Sequence, residues 1–315
     1  MRRGAPGGRC ALATRRVVTA ETSLVVGYDR RAQERSPVEF GVAAARCTGA
    51  SLIVACAYAS VTAAERLGPS QTNDRSRTLG DDGDGVPSAG IRIEWRDLHQ
   101  ANVARALHET AESLRAALLV VGSVRRAATR RLPGSLVERV MHGAPCPIAV
   151  VPHGWDATRR CNTIGVAYVD TPEGREALRG AHALAHRARA RLRVVTAIDG
   201  ECEDVAGQHG VHTVLAELAS GVPVQTAALQ GEPVDVLVRA SRHLDVLVCG
   251  SRGYGRPGIV SLGGVGRWVA RRGHCPVIMV PRGAEPGQTL GRARSAASSD
   301  SSQPSDRMGS DVPTA

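Results

Sequence analysis

The chain has 315 residues, 40 of them basic and 30 acidic, for a formal charge of +10; 43% are hydrophobic and only 3% aromatic. That length suits about two ordinary domains, each able to bury a core, and no apolar run approaches the roughly 18 residues of a membrane span. All the basic residues are arginine and none is lysine; arginine, alanine and glycine share GC-rich codons, so charge alone does not indicate a nucleic-acid partner, although clustered arginines suit phosphate.

Residues 1–21 carry Arg9, Arg15 and Arg16 where a secretion signal needs an unbroken apolar stretch, and are read as a disordered tail of a soluble, cytoplasmic protein. The first apolar run, SLVVGYD, predicts a strand at 23–28, and a helical stretch containing Phe40 follows it. Further strands are expected at 51–57, 90–95, 117–121 and 147–151, with a polar, disordered insertion at about 68–90 before the third. After a polar linker at 153–162, strands are expected at 163–168, 191–197, 222–228, 245–249 and 276–280. Between the first two of these, Thr171, Pro172 and Glu173 suit the cap and first turn of a helix. The serine-rich stretch 284–315 reads as a second disordered tail.

The chain is one unit written twice. Pro152 and Pro281, Cys146 and Cys275, and Gly134 and Gly263 all differ by 129, whereas Gly122 and Gly250 differ by 128, so copy one lacks a residue in its glycine loop. Short, continuous apolar strands alternating with helices predict a parallel sheet covered on both faces. The expected fold is therefore α/β: two doubly wound domains, at 22–152 and 163–283, each a five-stranded parallel sheet flanked by helices.

From Val248 to Gly266 the chain reads VCGSRGYGRPGIVSLGGVG. A glycine-rich loop leaving a parallel strand for a helix offers backbone N–H groups and a positive helix end to phosphate. With the following RWVARRGHCPVIMVP, this segment resembles the closing third of a universal stress protein domain, whose motif is G-x2-G-x9-G-[S/T]. The resemblance covers nearly all of 22–283, in both copies, as in tandem universal stress proteins. It implies the strand order 3-2-1-4-5, a site for ATP or AMP with no metal beyond nucleotide-associated magnesium, and domains paired through their fifth strands. That pairing would make an intramolecular pseudo-dimer through 147–151 and 276–280, with a homodimer also open.

In copy two the resemblance assigns nucleotide contacts to Asp170, Gly250, Ser251, Arg252, Gly253, Gly263, Gly264 and Val265. Gly250, Gly253 and Gly263 stand in the motif's register, but Gly264 and Gly266 replace its hydroxyl residues. Losing one hydroxyl bond to a charged oxygen costs about 1.5–3 kcal/mol, which weakens binding without abolishing it. Aligning Tyr28 with Tyr168 sets Val169 opposite Asp29, and a one-residue shift is needed to bring Asp170 there. Copy one keeps Asp29, Gly122, Gly134 and Ser135, but Arg125 replaces its second glycine, so its cradle is degenerate.

Other constellations point to bland roles. His182 and His186 lack a third ligand, as do His209 and His212. The DDGDG at 81–85 lacks a calcium loop's glutamate, since Asp81 leads to Arg92 and Asp82 to Ile93. The eight cysteines show no C-x2-C pair and read as reduced thiols, several of them buried, and neither Ser123 nor Ser251 lies in a G-x-S-x-G elbow. No enzyme, metal cofactor or membrane partner is expected. Three readings stand: a stress-response protein binding ATP or AMP in its second domain, a nucleotide-free protein-interaction module, or a polyanion binder using Arg125, Arg126, Arg130 and Arg131.

Overall fold

A computed structural model describes residues 22–29, 34–58, 90–100, 102–123, 136–156, 161–198, 205–216, 218, 221–251 and 257–283. The first half comprises β1 (Ser23–Tyr28), α1 (Ser36–Thr48), β2 (Ser51–Tyr58), β3 (Ile93–His99), α2 (Val103–Ser113), β4 (Leu118–Gly122), α3 (Leu136–Met141) and β5 (Ile148–Val151). The second comprises β6 (Thr163–Ala167), α4 (Pro172–Ala188), β7 (Arg191–Ile198), α5 (Val205–Ala216), β8 (Val224–Gln230), α6 (Pro233–Ala240), β9 (Val246–Gly250), α7 (Gly264–Arg272) and β10 (Val277–Val280).

The helices begin and end where local chemistry favours it. The Thr171 hydroxyl accepts the Gly174 N–H at 3.1 Å, and Pro172 takes the first turn of α4. Asn102 caps α2 through the Arg105 N–H. Gly49 closes α1 in the left-handed conformation, with its N–H on the Ala45 carbonyl.

The ten strands form one sheet in the order β3-β2-β1-β4-β5-β10-β9-β6-β7-β8. Each half is wholly parallel, as the apolar runs predict, and ordered 3-2-1-4-5, as the resemblance implies. The halves meet where β10 runs antiparallel to β5, pairing Val277 with Val150, Ile278 with Ala149 and Met279 with Ile148. Ala149 and Ile278 differ by 129, the repeat offset, so the central pair is made by counterpart residues and marks a local two-fold axis. A buried cluster on one face runs from Leu24 and Val120 through Ala149 and Ile278 to Val248 and Ile164, continuous across the junction.

The central strands lie within a residue or so of their apolar runs. The outer ones do not: β3 and β8 begin three and two residues later than 90 and 222. Each follows its neighbour along its length, Leu52 to Tyr58 pairing with Ile93 to His99. An edge strand carrying Glu94, Arg96 and Asp97 has no continuous apolar run to mark its limits.

Ile278 is 1% exposed at the seam. Ile278→Ala is expected to cost about 2–5 kcal/mol, read as a lowered urea midpoint with an unchanged far-ultraviolet circular dichroism spectrum.

Candidate functional site

At the carboxyl ends of the strands, the first helix of each half comes down on the fourth strand. A Cβ on Gly250 would lie 2.7 Å from the Glu173 carbonyl oxygen, and one on Gly122 would lie 2.8 Å from Pro37 Cγ. Both glycines are thus required by the docking of α4 and α1, whether or not a ligand is present.

The first-strand carboxylates differ between halves. Asp29 is exposed just after β1. Its sequence counterpart Val169 is 64% exposed, and Asp170 stands one residue on. Asp170 is already engaged: Arg175 Nε and Nη2 donate to its two oxygens at 2.8 and 3.2 Å, and the Tyr168 hydroxyl donates to Oδ1 at 2.9 Å. Burial, then the hydrogen bond to Asp170, pushes the Tyr168 phenol up to about 12. The backbone of α5 comes close here too, since a Cβ on Gly210 would lie 2.5 Å from Asp170 Cγ.

Ser251, directly after β9, is 3% exposed, and among the described residues its Oγ has no hydrogen-bond partner. Its counterpart Ser123 accepts the His153 N–H at 3.2 Å, although both serines donate their own N–H groups to the strand alongside. Beyond the loop, Gly263 caps α7 without a side-chain bond, and Gly264 and Val265 are exposed. A Cβ on Gly264 would meet nothing within 4 Å, whereas one on Gly266 would lie 2.7 Å from Met279 Cε. The glycine at 266 is therefore a packing requirement and the glycine at 264 is not. Arg252, Gly253, Gly134, Ser135 and the four loop arginines lie outside the described residues, as do Asp81 and Asp82.

In the first half, residues 153–155 are fastened to the start of α1. The carboxylate of Glu34 accepts the hydroxyl and amide of Ser36, at the start of α1, and the amide of Gly154, and pairs with His153. Burial pushes the Glu34 carboxyl up, but these hydrogen bonds and the His153 imidazole more than offset that and leave it below its ordinary value. Trp155 packs edge-on against Phe40 of α1, with ring centroids 5.4 Å apart. Residues 153–155, within the segment read as a polar connector, thus fold onto the first domain. Its polar composition gave no sign of this; the only signal was a lone Trp155 in a chain with 3% aromatics.

The model for the universal stress protein family matches this chain twice, at residues 22–152 and 161–281. The chain belongs to that family. Among curated relatives, universal stress proteins of Mycobacterium tuberculosis and Mycobacterium bovis are each 32% identical over 111 residues, 34% of this chain and 37% of theirs. The match therefore spans little more than a third of those relatives' length. A universal stress protein structure from Archaeoglobus fulgidus matches 83% of this chain and 98% of its own at a TM-score of 0.62 and 17% identity. One from Pseudomonas aeruginosa matches 84% of this chain and 94% of its own at a TM-score of 0.60 and 15% identity. At these identities the structures bear on fold alone.

The remaining polar candidates of this tandem universal stress protein do not converge. His182 is buried in α4 and His186 is exposed one turn later. His212 is exposed on α5, and the side chain of His209 lies outside the described residues. Among the described residues no group of three or more His, Cys, Asp or Glu is placed to hold a metal ion, and no helix is long and apolar enough to cross a membrane. Burial pushes the Cys146 and Cys249 thiols up to about 12; Cys47 by contrast is exposed.

Gly250→Ala is expected to lose about 1–3 kcal/mol of stability, because backbone must move, while Gly264→Ala loses none; urea midpoints of the two variants check this. The lowered Glu34 value predicts stability that is present above the ordinary carboxylate value of 4.5 and lost as pH falls through the lower folded value. Glu34→Gln is expected to flatten that acid-side loss, measured as urea midpoints between pH 7 and pH 3.

Proposed function

We propose that this chain is a cytoplasmic stress-response protein that acts by binding rather than by catalysis, with an adenine nucleotide, ATP or AMP, held by the second domain. The observation that carries this is the Ser251 hydroxyl, buried directly after β9 and without a partner among the described residues, while its counterpart Ser123 accepts the His153 main-chain N–H. A buried hydroxyl without a partner is costly, and a phosphate oxygen is a fitting acceptor for it. The start of α7 adds backbone N–H groups that have no partner within the helix, and the positive end of a nine-residue helix. In the first domain Glu34 sits at the start of α1 with its own bonds, and that domain serves as structural partner rather than second site.

Asp170 is held by Arg175 and Tyr168, so the ribose and base would be gripped less firmly than the phosphates. This favours modest affinity. It also supports a second reading, a nucleotide-free interaction module, because Gly250 is explained by the docking of α4 alone.

The two readings separate in one experiment. Protein purified without added nucleotide is heat-denatured and its supernatant assayed for ATP, ADP and AMP, with a thermal-shift series to millimolar ATP alongside. Released nucleotide or a rising melting temperature supports binding; neither would overturn it. Ser251→Ala is expected to weaken ATP about tenfold, and Gly264→Ser, entering open space, to tighten it by a similar factor, both read by calorimetry.

A further inference from the structure

We infer that the first domain is a working part of the second domain's phosphate site: the turn at Gly143 and Ala144 and the carboxylate of Glu138 position Val260 and the helix α7 that follows it, so nucleotide binding and the grip between domains strengthen each other. The inference rests on the nucleotide reading above and concerns how that same site is regulated.

The returning limb of the loop is sewn to the other domain by its backbone. The Val260 N–H donates to the Ala144 carbonyl and the Gly143 N–H donates to the Val260 carbonyl, both at 3.0 Å. The Val260 side chain is fully buried and belongs to the same cluster as Val140, Met141, Ala144 and Cys146 of the first domain. Gly143 has φ +87°, a left-handed conformation that glycine adopts freely, and in that turn its N–H reaches Val260. Within its own domain this limb is tied by the Gly258 N–H to the Arg282 carbonyl at 2.7 Å.

A second fastening lies at the far end of α7. Arg271 Nη1 donates to Glu138 Oε1 at 2.9 Å, and Glu138, on α3, is only 7% exposed. The repeat does not duplicate this pair. By the offset of 129, the counterpart of Glu138 is Arg267 and that of Arg271 is His142, a combination with no carboxylate. Gly263, Gly264 and Val265, whose backbone groups begin α7, therefore lie in the chain between two anchor points, Val260 and Arg271, both held by the first domain.

Donors aimed at an anion are effective in proportion to how firmly they are held before it arrives. If the first domain does the holding, a nucleotide that tightens the loop must tighten the domain contact equally, since coupling is reciprocal.

The test uses the full chain with ATP as the probe. Calorimetry gives the affinity, and hydrogen exchange follows residues 138–146, which lie in the first domain, and Val260. Saturating ATP is expected to slow exchange at Gly143 and Val260. Glu138→Gln is expected to weaken ATP about fivefold to tenfold, at the low end of site-to-site coupling, and the exchanged pair Glu138→Arg with Arg271→Glu to recover part of that loss. Calorimetric binding of ATP with exchange at Gly143 and Val260 unchanged would overturn the inference and leave the nucleotide reading intact. No heat of binding in the native chain would overturn both. Should the variants fail to fold, the exchange measurement on the native chain decides alone.

Discussion

The antiparallel pairing of β5 with β10 removes one edge from each half-sheet at once. Neither four-residue strand could survive long in water, being buried on every residue; side by side, each supplies the other's backbone partners. An open sheet edge of that composition invites pairing with other chains, and here the invitation is answered within the molecule. The seam also sets α3 beside α7 and lets the loop end at Val260 reach the turn at Gly143. Without it the two halves would be separate domains with no reason to share a core.

The same helix-and-strand unit has been put to unequal use. In both copies the first helix lands on a glycine ending the fourth strand, and in both a serine follows. In the first copy the His153 main-chain N–H donates to the serine, while Glu34 gathers the donors at the start of α1 and pairs with the His153 side chain. In the second, Arg282 takes the place of His153 and sits near Glu173 instead, 3.7 Å away.

Much of this was legible in the sequence, for identifiable reasons. The central strands are buried on both faces, so their apolar runs are unbroken and their limits clear; β3 and β8 are bounded by pairing rather than by burial. The repeat exposed the glycine register, yet register could not say what each glycine is for. Gly250 answers to the Glu173 backbone and Gly266 to Met279, while Gly264 answers to neither. The Arg175 bond to Asp170 spans five residues at a helix start, a spacing without a reliable pattern. The clasp at Val260 is bonded through main-chain groups, which every residue possesses, so no side-chain pattern names Gly143 and Val260 as partners.

Because the seam is antiparallel while each half is parallel, the strands of the two halves point in opposite directions. Their carboxyl ends, where such folds receive ligands, therefore open on opposite margins of one continuous sheet. No single small molecule could span both mouths. Each mouth is flanked instead by the blunt, amino-terminal side of the other half, which is why the turn leading into β5 stands next to the loop leaving β9. In this molecule a domain meets its neighbour's mouth from behind, as a wall rather than as a second hand.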